Sequence, residues 1–542
     1  MKTFQSLVLC CVLLCGVAVL SAQEPYWQWA VKAGGTFSEY GQSIAVDSQG
    51  NQYVTGDFHG TATFGSHILT ANEIYDFDVF VAKLDPNGNW LWAVNAGGTD
   101  YDGGYSIALD GADNAYVTGQ FYDTATFGSH TLTSSGHSDI FVAKIDPNGN
   151  WLWAAKAGGT NYEIGWGIAV DGLDNAWITG EFRGTATFGS QTLTLSGMND
   201  IFVAKLDSSG NWLWAVKAGG IYGETGLGIA VDGTGNARVT GWFEVTATFG
   251  RYTVTSSGEE DVFVAKLDSF GNWLWAVKAG GTGFDRGCGI AMDGAGNARV
   301  TGWFEGTARF GRHFLSSSGE KDIFIANLDP TGNWLWAVKA GGADTDTGYG
   351  IAVDGTGNAW VTGMFQGTAT FGSQTHTSSG EEDVFAIKLD SSGNWLWAVK
   401  AGGINVDSGY GIAVNGAGNA YVTGWFEGTA TFGSHILVAD GYELYPDIFV
   451  AKISYIDGDA PPKAPENVHI TLSEHSALIT WDAVTENILD QPITPDGYYI
   501  YESSDPLGQF TYQGSSSDTT FILPTTAMSH PRMFYRVTAY KN

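Results

Sequence analysis

Apolar and polar positions alternate along this chain in short runs that return at a fixed interval. The apolar run GWGIAVDG (165–172) predicts a strand, Leu173-Asp174-Asn175 turns the chain, and AWITGEF (176–182) brings it back as a hairpin. The segment RGTATFGSQTLTLSGMN (183–199) reads as a small β excursion of its own around Gly189-Ser190. A second hairpin follows from DIFVAKLD (200–207), the turn Ser208-Ser209-Gly210-Asn211 and WLWAVKAGG (212–220). Relatives of that last strand begin at Trp27, Trp90, Trp151, Trp212, Trp273, Trp334 and Trp395, and their second Trp residues are spaced first by 63 and then by 61 residues. A period of this size marks a repeat architecture, and four strands per period joined by tight Gly and Asn turns predict a propeller blade.

The first hairpins begin near Ile44, Ile107, Ile168, Ile229, Ile290, Ile351 and Ile412, and the third strands at Asp78, Asp139, Asp200, Asp261, Asp322, Asp383 and Asp447. The seventh third strand, DIFVAKIS, has no fourth strand after it, while an orphan fourth strand, WQWAVKAGG, stands near the N-terminus. Pairing the two leaves no sheet edge open, whereas a linear solenoid would need capping repeats, which the sequence does not show. The expected fold is all-β: a seven-bladed β-propeller over residues 23–456 closed by the N-terminal strand, a Pro-rich linker at 457–464, and a C-terminal β-sandwich over 465–542.

Residues 1–22 carry one lysine, an apolar run from Leu7 to Leu20 and a small-residue exit at Ser21-Ala22, which reads as a cleavable signal peptide, too short for a transmembrane span. No other stretch is long and apolar enough to span a bilayer. Cys10, Cys11 and Cys15 fall inside that signal, so Cys288 is left alone and the expected mature protein forms no intrachain disulfide. With 57 acidic against 25 basic side chains, the net charge of −32 argues against nucleic acid and anionic membrane surfaces as partners. The 76 glycines signal turns rather than disorder, because an aromatic content of 14% supplies a packed core.

The pattern GIAVDGxGNAYVTGxFxGTATFG, matched in all seven copies, resembles the bacterial SBBP repeats of seven-bladed β-propellers, which implies the fold and an extracellular setting but little about activity. The turn in LDPNGNWLW (84–92) is more distantly similar to the tryptophan-docking motif of quinoprotein propellers, with the Asp85–Trp92 spacing one residue short. The terminal alternation ENVHITL, SALITWDAV, GYYIYES, FTYQG, TTFILP and MFYRVTAY resembles a fibronectin type III domain. That resemblance puts Trp481 on its second strand and Tyr535 to Tyr540 on its sixth, and the sequence given stops where a seventh would follow.

A residue type kept in every repeat serves the blade, while a position that differs between repeats can serve one asymmetric ligand. The Trp pairs read as packing between blades, with an exposed sugar-stacking row as the alternative. A carboxylate follows each Gly-Gly by four residues, at Glu39, Asp102, Glu163, Glu224, Asp285, Asp346 and Asp407. Either each fixes its own loop by accepting backbone N–H bonds, or together they ring one mouth of the channel and bind a cation such as calcium. The DGxGN segments lack the ligand spacing of an EF-hand and read as turns.

The varied positions on the same face are Gln42, Tyr105, Trp166, Leu227, Cys288, Tyr349 and Tyr410 before the inner strand, and Asp57, Gln120, Glu181, Trp242, Trp303, Met364 and Trp425 where the second strand emerges. Aromatic rings beside carboxylates and amides suit carbohydrate or peptide recognition, which nominates Tyr105, Trp166, Tyr349, Tyr410, Trp242, Trp303 and Trp425 as ligand-binding. The alternative is that these side chains plug the channel or pack between neighbouring loops. Two longer loops, at 70–78 and 438–447, mix acidic and aromatic residues: Glu73, Tyr75, Asp76 and Phe77 against Asp440, Tyr442, Glu443 and Tyr445. Ring closure would make them neighbours, as a contact site or a seal.

Nothing in the sequence assembles a catalytic residue set. The ten histidines occupy no constant site, no Cys/His cluster stands out, and Cys288 has no evident base. The expected function is a non-catalytic binding or adhesion protein, secreted or held at the cell surface, taking an extracellular carbohydrate or protein and needing no cofactor beyond the calcium considered above. The alternatives are a propeller enzyme acting on polysaccharide, a quinone-dependent oxidoreductase, and a structural surface component.

Overall fold

The structure, a computed structural model, describes residues 25–73, 76–441, 445–455, 469–472, 476–481, 497–503, 511–517, 519–524 and 534–540. The expected signal peptide and linker lie outside the described residues, as do Tyr75, Tyr442 and Glu443. Every regular element among the described residues is a β-strand, and the chain divides between Ser454 and Tyr455 into two compact units.

In the first unit the third repeat shows the recurring pattern. Inner strand Glu163–Val170, second strand Ala176–Phe182, third strand Asp200–Leu206 and outer strand Trp212–Ala218 form one antiparallel sheet in that order. The turns are built by aspartates. Asp171 accepts the backbone N–H groups of Leu173 and Asn175, each at 3.0 Å, and Asp207 does the same for Ser209 and Asn211 at 2.9 Å. Each DGxGN segment is therefore closed on itself by its first side chain. The strand Pro25–Gly35 sits beside Asp447–Tyr455 in the sheet whose other members include Asp407–Val414 and Ala420–Phe426.

The TATFG excursion departs from the sequence reading, because it does not stand by itself. Thr185–Phe188 pairs back onto the outer strand of the preceding repeat, with Gly158 opposite Thr187 and Gly159 opposite Ala186. The same link recurs at Gly35/Ala62, Gly97/Thr126, Gly219/Thr248, Gly280/Arg309, Gly342/Ala369 and Gly403/Ala430. This accounts for the constant Gly-Gly. A Cβ on Gly159 would overlap the backbone carbonyl of Thr185, and one on Gly158 would run into the Asp139 carboxylate. The sequence misses this pairing because the two partners belong to different repeats.

The Trp pair does two further jobs. The first ring packs edge-on against the phenylalanine of the TATFG hairpin, as Trp212 does on Phe188 at 5.2 Å and 86°. The second donates its Nε1–H to a turn carbonyl of the following repeat: Trp29 to Pro86, Trp92 to Pro147, Trp153 to Ser208, Trp214 to Ser269, Trp275 to Pro330 and Trp336 to Ser391, at 3.0–3.2 Å. The hydrophobic core lies between sheets. Ile140 and Val142 of one repeat meet Ile178, Phe202 and Ala204 of the next, and Tyr421, Ile448 and Val450 of the last repeat meet Ile44, Val54 and Phe80 of the first.

Among its described residues the second unit contains two antiparallel three-stranded sheets: His469–Leu472, Ser476–Thr480 and Thr520–Pro524, and Thr511–Ser516, Gly497–Ser503 and Phe534–Tyr540. Trp481 stands just beyond its expected strand, buried against Tyr498 at 5.1 Å.

Replacing Gly159 with alanine is expected to cost about 2 kcal/mol or more of stability, because the new methyl has no space beside a backbone carbonyl. Gly172→Ala, at a turn position with no atom within 4 Å of the added Cβ, is the control and should shift the calorimetric melting temperature little.

Candidate functional site

Each inner strand carries one irregularity, always at the same place. The ladder between inner and second strands skips one residue on the inner strand: Gln42, Tyr105, Trp166, Leu227, Cys288, Tyr349 and Tyr410. Such a β-bulge turns a side chain away from the regular pleat. These seven are the first set of varied positions, and all of them line one cavity with adjoining lobes of about 200 and 350 Å³.

Small residues on either side of each bulge let neighbouring inner strands close in. A Cβ on Gly167, Gly228, Gly289 or Gly350 would lie 2.6–3.1 Å from the carbonyl oxygen of the next bulged residue, and one on Gly411 would lie 3.0 Å from Ile44 N. Where serine replaces that glycine, Ser43 Oγ accepts the N–H of Ile107 and Ser106 Oγ that of Ile168. The sequence signal for the bulge is a short Gly-x-Gly or Gly-x-Ser at the start of every inner strand.

The cavity wall is asymmetric. Tyr105 and Trp166 stack at 4.7 Å and 25°, and Tyr349 and Tyr410 stack at 4.6 Å and 4°. Leu227 and Cys288 separate the two pairs on one side and Gln42 on the other. Residues of the second varied set hold the first in place: Gln120 donates to the Tyr105 hydroxyl at 2.9 Å, Gln42 to Asp57 at 3.4 Å, and Tyr349 to the Met364 sulfur at 3.9 Å. Burial pushes Asp57 up to about 7 and the Cys288 thiol up to about 12, so the thiol is un-ionised at neutral pH. Glu181 is raised by burial while Asn199 and Thr225 donate to it.

Arg286 carries no sequence signal of its own, although it alone brings a charge to the cavity lining. Its guanidinium lies 4.6 Å from the Trp242 ring and 5.6 Å from Trp303, and its Nε and a terminal nitrogen both donate to Glu260. Lys321 covers Trp303 at 4.2 Å. The described ends of the two long loops are linked through rings, since Phe77 meets His59, His59 meets Phe37, and Phe37 meets Tyr445 at 4.7–6.2 Å.

The seven carboxylates after Gly-Gly are placed elsewhere than the sequence-based ring requires. Glu39, Asp102, Glu163, Glu224, Asp285, Asp346 and Asp407 are all fully buried and none lines the central cavity. Six of them accept the N–H of the second glycine, four residues earlier, at 2.6–3.0 Å. Each has a second buried aspartate beside it, as Glu163 has Asp139, which in six repeats binds a lysine: Asp139–Lys156 at 3.0 Å is one. No grouping of three or more metal-ligating side chains occurs among the described residues.

No family model matches the chain. It is 26% identical over 500 residues to the uncharacterized WD repeat-containing protein L264 of Acanthamoeba polyphaga mimivirus, covering 73% of this chain and 36% of that one. It is 25% identical to the regulatory protein FlaEY of Caulobacter vibrioides, covering 61% and 37%. The chain thus spans little more than a third of the length of the curated relatives it matches. Among solved structures it is similar to YCF48 bound to a D1 peptide, with 11% identity, a TM-score of 0.37, and coverage of 80% of this chain and 99% of that one. The chain is a β-propeller repeat protein. No helix in the propeller or in the other described residues is long and apolar enough to cross a membrane.

The buried carboxylates give the propeller a definite pH response. Burial, aided by the neighbouring aspartate, pushes Glu39 up to about 9, Asp102, Glu224 and Asp407 to about 8, and Glu163, Asp285 and Asp346 to about 7. Folded carboxyls therefore hold protons that unfolded ones release above about pH 4, so stability falls as pH rises from there through 7–9. The melting temperature is expected to be higher at pH 5.5 than at pH 9 by on the order of 5 °C, with Glu39→Gln reducing the difference. A melting temperature unchanged or rising across that interval contradicts this account.

Proposed function

We propose that the chain is a secreted or cell-surface, non-catalytic binding protein whose propeller presents one ligand site at the mouth of its central cavity. In this reading the propeller has seven SBBP-type blades and closes on itself. Support comes from the strand Pro25–Gly35 beside Asp447–Tyr455, and from the contact of Gly411 with Ser43 and Ile44, which matches the contacts between the other inner strands. The second unit, with its two three-stranded sheets and buried Trp481, is read as a fibronectin type III-like spacer or anchor.

One observation carries the binding role. In a scaffold whose turns, glycines, Trp pairs and buried carboxylates repeat, the bulged position holds five different residue types in seven repeats, and all seven of its side chains line one cavity. Repetition serves the fold, while variation at converging positions suits an asymmetric ligand. The raised Cys288 thiol favours a packing role over a nucleophilic one.

The test is binding of the purified protein to a panel of polysaccharides, cell-wall fractions and extracellular peptides, with product release followed in the same wells. Binding without turnover is expected, and alanine at Tyr105, Trp166, Trp303 and Trp425 together should weaken it by about 100-fold, as loss of several ring contacts requires. Retained binding by that variant, or turnover of a glycan, overturns the proposal.

A further inference from the structure

The two sides of the mouth hold charge differently. Toward Trp242 and Trp303 the chain supplies its own cations: Arg286 lies over both rings, Lys321 covers Trp303, and Glu260 neutralises Arg286 through two N–H bonds. These rings already carry what a negative aromatic face attracts.

The Tyr349–Tyr410 side has the same kinds of ring without the cation. The two tyrosines stack at 4.6 Å, and Tyr40 meets Trp425 edge-on at 5.7 Å. Acids stand around them: Glu382 acts electrostatically on both tyrosine hydroxyls, and Glu427 acts on Tyr40. Among the described residues, no lysine or arginine makes a ring contact with Tyr349, Tyr410 or Trp425. The whole chain carries a formal net charge of −32, which favours cations over anions as partners.

We propose that the Tyr349–Tyr410–Trp425 side of the cavity binds an organic cation, the ammonium or guanidinium group of a lysine or arginine side chain on an extended peptide. The proposal rests on reading the cavity as a ligand site and adds the charge of what enters it. The lobe of about 350 Å³ that Tyr349 and Tyr410 line also carries Arg286, whose charge Glu260 neutralises, and it admits one long side chain with its flanking backbone. The ring faces act on that charge directly, while Glu382, which does not line the cavity, acts on it from a distance as it does on the two tyrosine hydroxyls.

Isothermal titration of the purified chain in 0.15 M salt tests this, with acetyl-Gly-Lys-Gly-amide, its Arg and Glu counterparts, and the Nε-acetyl-lysine form, which keeps the length and loses the charge. The Lys or Arg peptide is expected to bind about tenfold or more tighter than the acetylated one. Tyr410→Ala, which leaves the net charge unchanged, should weaken that binding about tenfold, and Glu382→Gln, a milder change at a half-buried carboxylate, about threefold. Equal binding of the acetylated or Glu peptide overturns the proposal, as does Lys-peptide binding that is unchanged in both variants and so reflects only the overall charge. A neutral glycan that binds and is lost in Tyr410→Ala overturns the charge assignment while leaving the ligand site standing. If no ligand of either kind depends on Tyr410, the cation site falls, while the ligand site itself is decided by the four-ring variant.

Discussion

The propeller depends on one close approach, made where the outer strand of a repeat ends against the TATFG hairpin of the next. Two glycines let the backbones meet, the first leaving space for a buried aspartate and the second for a threonine carbonyl. That contact fixes where the next inner strand begins, since six of the seven carboxylates that start those strands accept the second glycine's N–H. The Trp pair works alongside it, one ring on the hairpin and the other tied to a following turn. Each repeat is thus anchored to its neighbour by backbone pairing, side-chain packing and a buried polar contact at once, and its hydrophobic core is shared rather than owned.

The buried carboxylates explain how so acidic a chain holds its compact form. Many of its acids do not face water as ions. Some are held inside with a raised affinity for protons, and their companion aspartates are matched to lysines. Others sit in turns, where Lys205, Trp177 and Asn175 hold Asp171 down at about 2, and Asn333 with Thr331 does the same for Asp329. The two populations are displaced in opposite directions, leaving a mildly acidic window in which the first stays protonated and the second ionised.

Much of this architecture is legible in the amino-acid sequence itself. Strand positions in the third repeat match the runs GWGIAVDG, AWITGEF, DIFVAKLD and WLWAVKAGG because each run is apolar and bounded by its own turn, with the second and third strands buried on both faces. The TATFG hairpin is not legible in the same way because its partner lies in another repeat, and pattern within one period says nothing about pairing across periods. Convergence of Tyr105, Trp166, Tyr349 and Tyr410 follows from strand polarity, but the bulge that aims them does not. Arg286 escapes a sequence reading because its role depends on Trp242 in the preceding repeat and on Glu260, neither of which is near it in sequence. Recurrence suggests a ring of Glu39 and its equivalents at the mouth, and burial contradicts it, because recurrence gives angular order and not depth.

The bulge has a consequence for how such a protein changes over generations. A residue in the regular ladder is tied by pairing on both sides, so replacing it disturbs a sheet. The bulged residue is outside the ladder and flanked by small neighbours, so its side chain is exchangeable while the strands stay in register. Glutamine, tyrosine, tryptophan, leucine and cysteine already occupy that place in one molecule. The cavity wall is therefore written with seven independent letters on a fixed page, and a new specificity needs respelling rather than a new fold.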